Sequence, residues 1–187
     1  MVQKFPSPIL VATRSSCFFE DDEELLYFAG TIRAFFALTE LDRLAATPHV
    51  FAYFKDFTDE HGFEWGDSDM KRLTGPTEDI WRFVYPTVLG AQEGWDIANR
   101  DRMRQYVVLE ANCGWEREHG ILMSWRDGKD LVKVSGYDGH ATNAHAYGDL
   151  TKDAWIYHSL NPGKGTRNPL VAAPNGPQTS KPLWKFW

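Results

Sequence analysis

Apolar residues recur in three short runs near the middle of the chain, and each run has the composition of a β-strand. The runs are Tyr106–Glu110, Ile121–Arg126 and Asp130–Ser135. The Asp127-Gly128 dipeptide separates the last two runs, and it favours a type I′ hairpin turn because both of its residues tolerate positive φ angles. The pattern therefore predicts an antiparallel three-strand meander over about residues 106–135.

The pattern upstream of the meander is mixed. Ile9–Ala12 has the composition of a short strand. Between Leu25 and Leu38 the apolar positions fit both helical spacing and strand alternation, so periodicity leaves helix and strand open. The preceding acidic run favours the start of a helix, whereas Gly30 and the aromatic residues weaken a helix.

Two capping patterns predict helices in the next segment. Thr39 with Asp42 predicts a capped helical turn that reaches Ala46, because Thr is a good N-cap residue. The pair Thr47-Pro48 predicts the start of a second helix, since Pro fits the first helical position. Gly62 is expected to end that helix.

Shorter signals occupy the rest of the chain. Thr77-Glu78-Asp79 predicts a cap for a short helical turn that carries Ile80, Trp81 and Phe83. Residues 90–104 are predicted to be a charged connection into the meander, and Ala154–His158 one more strand. Residues 161–187 are rich in Pro and Gly, which predicts an irregular tail with an aromatic end. Together these signals predict an α+β fold: a single domain over residues 1–160 with an antiparallel sheet and a few packed helices, followed by the tail.

Length, charge and cysteine content narrow the class of protein. A chain of 187 residues is long enough to bury one core. The formal net charge of −6 argues against nucleic-acid binding, which depends on clustered Lys and Arg. Cys17 and Cys113 are far apart and do not form a paired zinc motif. The N-terminus has no signal-peptide pattern, and no run of apolar residues is long enough to span a membrane, so we expect a soluble cytoplasmic protein.

Candidate chemistry lies in the loop before the hairpin. Glu116, Glu118 and His119 place carboxylates beside an imidazole, an arrangement that serves general acid–base catalysis. The same loop also fits a structural role, in which Trp115 anchors it and Gly120 supplies a permissive turn. Both interpretations stay open from the sequence.

A metal site is the other chemical candidate. His119, His140 and His145 could ligate a metal with Asp138 or Cys113. However, His140 and His145 are not spaced to share one helical face, and no HExxH or paired-cysteine pattern is present. We therefore expect no cofactor and no resident metal.

Three motifs carry a family resemblance. They are Cys113-Gly-Trp-Glu-Arg-Glu-His-Gly120, Trp125-Arg-Asp-Gly128 and Gly136-Tyr-Asp-Gly-His-Ala-Thr-Asn-Ala-His-Ala-Tyr147, preceded by Tyr85-Pro-Thr87. Over residues 81–147 this order resembles a bacterial family of uncharacterised domains. The resemblance implies an α+β domain in which residues 25–38 contribute a strand. It also implies an immunity-like protein of the kind encoded near polymorphic toxins, and it brings no assigned catalytic residues.

The functional hypothesis is a binding protein that occludes a basic toxin or another protein partner, since acidic groups accelerate encounter and aromatic residues supply binding energy. The expected binding face lies in the two loops that flank the hairpin: Trp115, Glu116, Glu118, His119, Tyr137, Asp138 and His140. One alternative is a metal-assisted hydrolase that uses His119, His140 and His145. Another is a homo-oligomerising domain whose C-terminal tail forms the interface.

Overall fold

A seven-strand sheet forms the centre of the fold, and its strand order follows the chain. The structure is a computed structural model, which describes residues 16–17, 22–62, 69–99 and 101–171. The strands are β1 (Ser16–Cys17), β2 (Val84–Trp95), β3 (Met103–Cys113), β4 (Ile121–Arg126), β5 (Asp130–Ser135), β6 (Trp155–Tyr157) and β7 (Thr166–Arg167). The β1–β2 and β5–β6 pairs are parallel and the other pairs are antiparallel.

Two long helices and several short ones accompany the sheet. The α-helices are α1 (Asp22–Phe36), α2 (Glu40–His61) and α3 (Asn143–Tyr147), and 3-10 helices span Met70–Arg72, Glu78–Phe83 and Leu150–Ala154. The predicted α+β class is confirmed, as are the short helical turn after Thr77, which spans Glu78–Phe83, and the strand near 154–158.

The two faces of the sheet carry different cores, because successive strand residues point to opposite sides. Val107 and Leu109 of β3 pack in the main core with Val50 and Phe54 of α2. We call the opposite side the open face, because neither α1 nor α2, the two long helices of the described residues, contributes to its core. There Tyr106 and Val108 belong to a smaller core that includes Leu122, Val132 and Ala141, with Leu170 and Val171 packed against it.

The predicted meander is confirmed. β3 pairs with β4 from Tyr106–Arg126 to Ala111–Ile121, and β4 pairs with β5 across the hairpin. Asp127 has φ 52° and Gly128 has φ 69°, which are the positive angles that the hairpin turn requires. Gly128 is also packed closely, since an added Cβ would collide with the Thr31 carbonyl oxygen.

The strand implied for residues 25–38 is wrong, because this segment lies in helix α1. Phe28, Thr31 and Phe35 are its buried positions, and their spacing is that of one helical face. The Phe35 ring packs edge-on against Trp125 of β4, with centroids 5.0 Å apart. Packing against the sheet therefore selects the helix where periodicity left both states open.

The predicted break before Pro48 is also wrong. Glu40–His61 is one continuous helix with Pro48 inside it. The predicted cap at its start is confirmed, since the Thr39 N–H donates to Asp42 Oδ2 at 2.7 Å. This hydrogen bond makes the largest contribution to lowering the pKa of Asp42, and the hydrogen bond from the Thr39 hydroxyl lowers it further. Buried Val50, Tyr53 and Phe54 hold the helix against the sheet beyond the proline.

The connection predicted over 90–104 is largely strand. β2 continues to Trp95, and β3 begins at Met103. Gly90 and Gly94 obscured the alternation of this strand. Gly94 lies against the Tyr106 ring, where an added Cβ would approach a ring carbon to 3.1 Å.

The start of the predicted tail belongs to the sheet, because Thr166–Arg167 forms β7. Residues 172–187 and the predicted strand Ile9–Ala12 lie outside the described residues. Within the described part of the chain, the helices are too short or too polar to cross a membrane.

Candidate functional site

Trp115 lies in the main core rather than on the surface. Its ring packs edge-on against Tyr53 and Phe54 of α2, with centroids 5.9 Å and 5.6 Å away. Only 5% of the residue is exposed. Trp115 therefore anchors the loop between β3 and β4, and its ring is not available to a partner in this structure.

Glu116 organises the same loop from within. Its carboxylate accepts the backbone N–H of Glu118 at 2.7 Å and that of His119 at 2.9 Å, and it lies 3.0 Å from His119 Nδ1. The Cys113 thiol donates to the Glu116 carbonyl, and burial, as the main cause, raises the pKa of that thiol to about 12. Glu116 and Cys113 thus stabilise the loop and do not face solvent.

Glu118, His119 and Tyr137 remain exposed, and the fold brings their two loops together. The Tyr137 N–H donates to the His119 carbonyl at 3.2 Å. The His119 side chain is 64% exposed and Tyr137 is 48% exposed. Part of the predicted loop face therefore exists as one continuous surface.

Asp138 and His140 are held by a lysine that the sequence interpretation did not single out. The Lys133 ammonium donates to both Asp138 carboxylate oxygens at 2.6 Å and to the His140 carbonyl at 2.8 Å. The Lys133 side chain is completely buried. Burial, the larger effect, lowers the pKa of Lys133, and Asp138 opposes that shift.

The candidate metal ligands do not converge. The His140 and His145 rings are neighbours, with centroids 4.3 Å apart. Among the described residues, however, no group of three His, Cys, Asp or Glu side chains is placed to hold a metal ion. The trio of His119, His140 and His145 therefore does not form a metal site here.

A cleft lies on the open face beside these loops. Its volume is about 230 Å³. Its lining comes from β2, from β3 and from the segment after β5: Gly90, Ala91, Gln92, Val108, Glu110, Tyr137 and Gly139. The cleft is the place where a predicted loop residue, Tyr137, meets the surface of the sheet.

Strand register explains how the cleft is built. Strand pairing joins Gly90 of β2 to Val108 of β3, Val108 to Ser124 of β4, and Ser124 to Lys133 of β5. These four residues therefore form one row on the open face. Lys133, at one end of the row, fixes the segment after β5 through Asp138. That segment covers one end of the row and leaves the Gly90 end uncovered.

Glycine at position 90 keeps the floor of the cleft low. A Cβ added there would meet no atom within 4 Å, so the space above Gly90 is open. Gly139 forms part of the wall and has φ 75°, a conformation that favours glycine. The wall and the floor of the cleft thus both depend on glycine.

Glu110 is the charged group of the cleft. Burial raises the pKa of its carboxyl group. Among the described residues, no donor or cation is bonded to its carboxylate. The hydrogen bond that Glu110 accepts from the Thr87 hydroxyl is made by its backbone carbonyl. The sequence contains a signal that could have identified Glu110 as a candidate site residue, because Glu110 is the one acidic residue in the otherwise apolar run Tyr106–Ala111.

Comparison with known proteins gives a family and no named relative. The sequence model of a family described as "Domain of unknown function (DUF6985)" matches residues 3–141. No curated protein and no solved structure matches the chain. The matched segment covers well over half of the chain, so the protein belongs to the DUF6985 family of domains of unknown function.

Proposed function

We propose that this protein is a binding protein whose cleft accepts a positively charged side chain of a basic protein partner. The observation that carries the proposal is the Glu110 carboxylate, which lines the cleft without a bonded cation among the described residues. A partly buried carboxylate is costly to keep ionised unless a cation or donor reaches it. A Lys or Arg side chain of a partner supplies that group.

The surroundings of Glu110 suit such a partner. The Tyr137 ring forms part of the wall, where a cation gains from contact with an aromatic face. Gln92, at the other end, offers an amide that both donates and accepts hydrogen bonds. Exposed Glu118 lies on the neighbouring loop, and the net charge of −6 attracts a basic partner over a longer range.

We further propose that binding is the whole activity, in the manner of an immunity-like protein that occludes a basic toxin. Inhibitors of this kind act by covering a surface, so they require complementarity rather than a catalytic group. The resemblance of the motifs over residues 81–147 supports this class. The cleft would hold one cationic residue of the partner, and the exposed loop face would cover the surface around it.

The test is a quantitative capture experiment with four versions of the tagged full chain, in lysate of the source organism at low and high salt. Gly90→Leu places a side chain in the cleft, with a Cβ that meets no atom within 4 Å, and Glu110→Gln removes the charge of the cleft. Gly30→Leu is the matched control, because a Cβ at this exposed α1 position also meets no atom within 4 Å. Captured proteins are quantified by mass spectrometry.

The expected result is a basic protein that the native chain and Gly30→Leu retain at low salt and that high salt releases. Gly90→Leu and Glu110→Gln should each reduce its recovery to about a tenth, the loss of one charge-assisted contact. If all four versions capture the same proteins in equal amounts, the cleft is not the binding site.

A further inference from the structure

Helix α2 carries apolar residues on two opposite faces. One face places Val50 and Phe54 in the main core. The other, which we call the outer face, carries Leu41, which is 76% exposed, then Leu44 and Pro48 at helical spacing, both also exposed. A surface helix ordinarily has polar residues on the side away from its core. Leu41 and Leu44 belong to neither core of the described residues, so their apolar character is not explained by the fold of one chain.

A groove lies on the same outer face, two turns further along α2. Its volume is about 260 Å³ and its surface is mainly apolar. The helix and two loops supply its main lining: Pro48, Phe51, Ala52, Lys55, Pro76 and Lys164. The volume is below the roughly 300 Å³ at which small-molecule sites begin, so the groove suits a single apolar side chain of a protein.

The two ends of the outer face differ in exposed charge. At the leucine end, the Glu40 side chain is about half exposed, whereas its partner Arg43 keeps only 9% of its side chain exposed. At the groove, Lys55 and Lys164 both contact Asp59, and Lys164 also contacts a second carboxylate, which is buried. Each ammonium group there is more exposed than the carboxylates are. The leucine end therefore presents negative charge and the groove end presents positive charge.

We infer that a second copy of this chain covers the outer face of α2, with the two helices antiparallel and Pro48 at the two-fold axis. Leu41 precedes Pro48 by seven residues, and Lys55 follows Pro48 by seven. A two-fold rotation about Pro48 therefore brings Leu41 of each copy over the groove of the other. The same rotation brings the Glu40 carboxylate towards the lysines of the groove. A two-fold contact must be self-complementary, and this face meets that requirement in both shape and charge.

This contact stands apart from the proposed function. The outer face belongs to a helix that packs on the main core, whereas the cleft lies on the open face on the other side of the sheet. A dimer formed through α2 therefore keeps both clefts accessible. Two clefts in one particle would hold a partner with two cationic sites at a high effective concentration.

The mass of the full chain in solution tests the contact, measured by sedimentation velocity between about 1 and about 200 µM. We expect a dimer that Leu41→Glu weakens by about 100-fold, because the symmetric contact loses two apolar side chains at once. Leu26→Glu is the matched control, since Leu26 is a leucine of α1 that is 74% exposed, and it should dimerise as the native chain does. Circular dichroism verifies that both variants are folded.

A native chain that is monomeric at every concentration, alone or bound to another protein, would overturn the inference. So would a dimer that Leu41→Glu leaves as tight as before, because the contact would then lie elsewhere.

Photocrosslinking tests the antiparallel arrangement in a chain with no added charge. p-Benzoylphenylalanine takes the place of Leu41, and isotopically labelled and unlabelled copies are mixed before irradiation. We expect crosslinks between a labelled and an unlabelled copy at Phe51–Lys55 or Pro76. Leu41 and Lys55 are about 21 Å apart along one helix, so this crosslink cannot form within a single copy. Crosslinks that join position 41 to another part of the same copy would overturn the inference in favour of the chain covering its own face.

Discussion

The buried ammonium of Lys133 pairs with the partly exposed carboxylate of Asp138, and this pair fixes one wall of the cleft. The ammonium lies 2.6 Å from each carboxylate oxygen, and the Lys133 side chain has no exposed surface. Asp138 also accepts the His140 N–H at 3.0 Å. The pair therefore joins strand β5 to the turn that carries Tyr137 and Gly139.

Replacing Asp138 by Asn should destabilise the protein by about 3 kcal/mol, because it removes the carboxylate that is hydrogen-bonded to a buried ammonium. We take the low end of the usual range since the Asp138 side chain is 31% exposed. Urea unfolding at neutral pH measures the change. Lys133→Met combined with Asp138→Asn removes both charges and should recover most of the loss. An Asn variant within about 0.5 kcal/mol of the native chain would contradict a supporting role for the pair.

Glu116 and Glu118 are close in sequence but differ in what their carboxylates do. Glu116→Gln should lower the free energy of unfolding by about 2 kcal/mol, because an amide cannot accept from the Glu118 and His119 backbone N–H groups with both of its ends. Glu118→Gln should change it by less than about 0.5 kcal/mol. Thermal and urea unfolding of both variants test this contrast, and equal effects would refute it.

Asp96 is the centre of a charge network at the turn between β2 and β3. Its carboxylate accepts Arg104 Nε at 2.8 Å, the Ala98 N–H at 2.9 Å and Arg126 Nη1 at 3.1 Å. Burial alone would raise the pKa of Asp96, but these three donors outweigh it and lower the pKa to about 2. The carboxylate is therefore bound more tightly in the folded state than in the unfolded chain.

This difference predicts an acid-dependent loss of stability. The contribution of Asp96 is complete above its unfolded pKa of 3.8 and is lost as the pH falls from there through about 2. It amounts to about 2 kcal/mol. The difference in unfolding free energy between the native chain and Asp96→Asn should therefore shrink between pH 4 and pH 2. Asp101→Asn, at an exposed position of the same turn, is the control, and a difference that stays constant over this range would contradict the assignment.

Local chemistry was sufficient to predict the meander. Asp127 and Gly128 supply the turn through their own backbone preferences, and the three flanking runs are strands by composition. No distant contact is needed for that result. The Thr39–Asp42 cap could be predicted for the same reason, because both partners lie within one helical turn.

Elements selected by packing could not be predicted in this way. Helix α1 depends on Phe35 meeting Trp125, and the alternation of β2 is hidden because Gly94 makes room for the Tyr106 ring. The cleft has the same origin. Glu110 and Gly90 become neighbours of Tyr137 only through strand register and the Lys133–Asp138 pair, so the sequence indicated the loops but not the site between them.

Glu110 should limit stability because its carboxylate is partly buried without a bonded cation among the described residues. Burial raises its pKa above the unfolded value of 4.5, so the folded state binds the proton more tightly and loses stability as the pH rises past 4.5. Glu110→Gln should therefore stabilise the protein at pH 7 by about 0.5 kcal/mol and have little effect at pH 4. Glu60→Gln, at an exposed position near the end of α2, should show neither effect. Urea unfolding at the two pH values makes the comparison.

A variant that is less stable than the native chain at pH 7 would show that the carboxylate already has a favourable partner, and such a result would remove the main support for a cation-binding cleft. Greater stability together with weaker partner capture would mean that the chain retains a destabilising charge for binding.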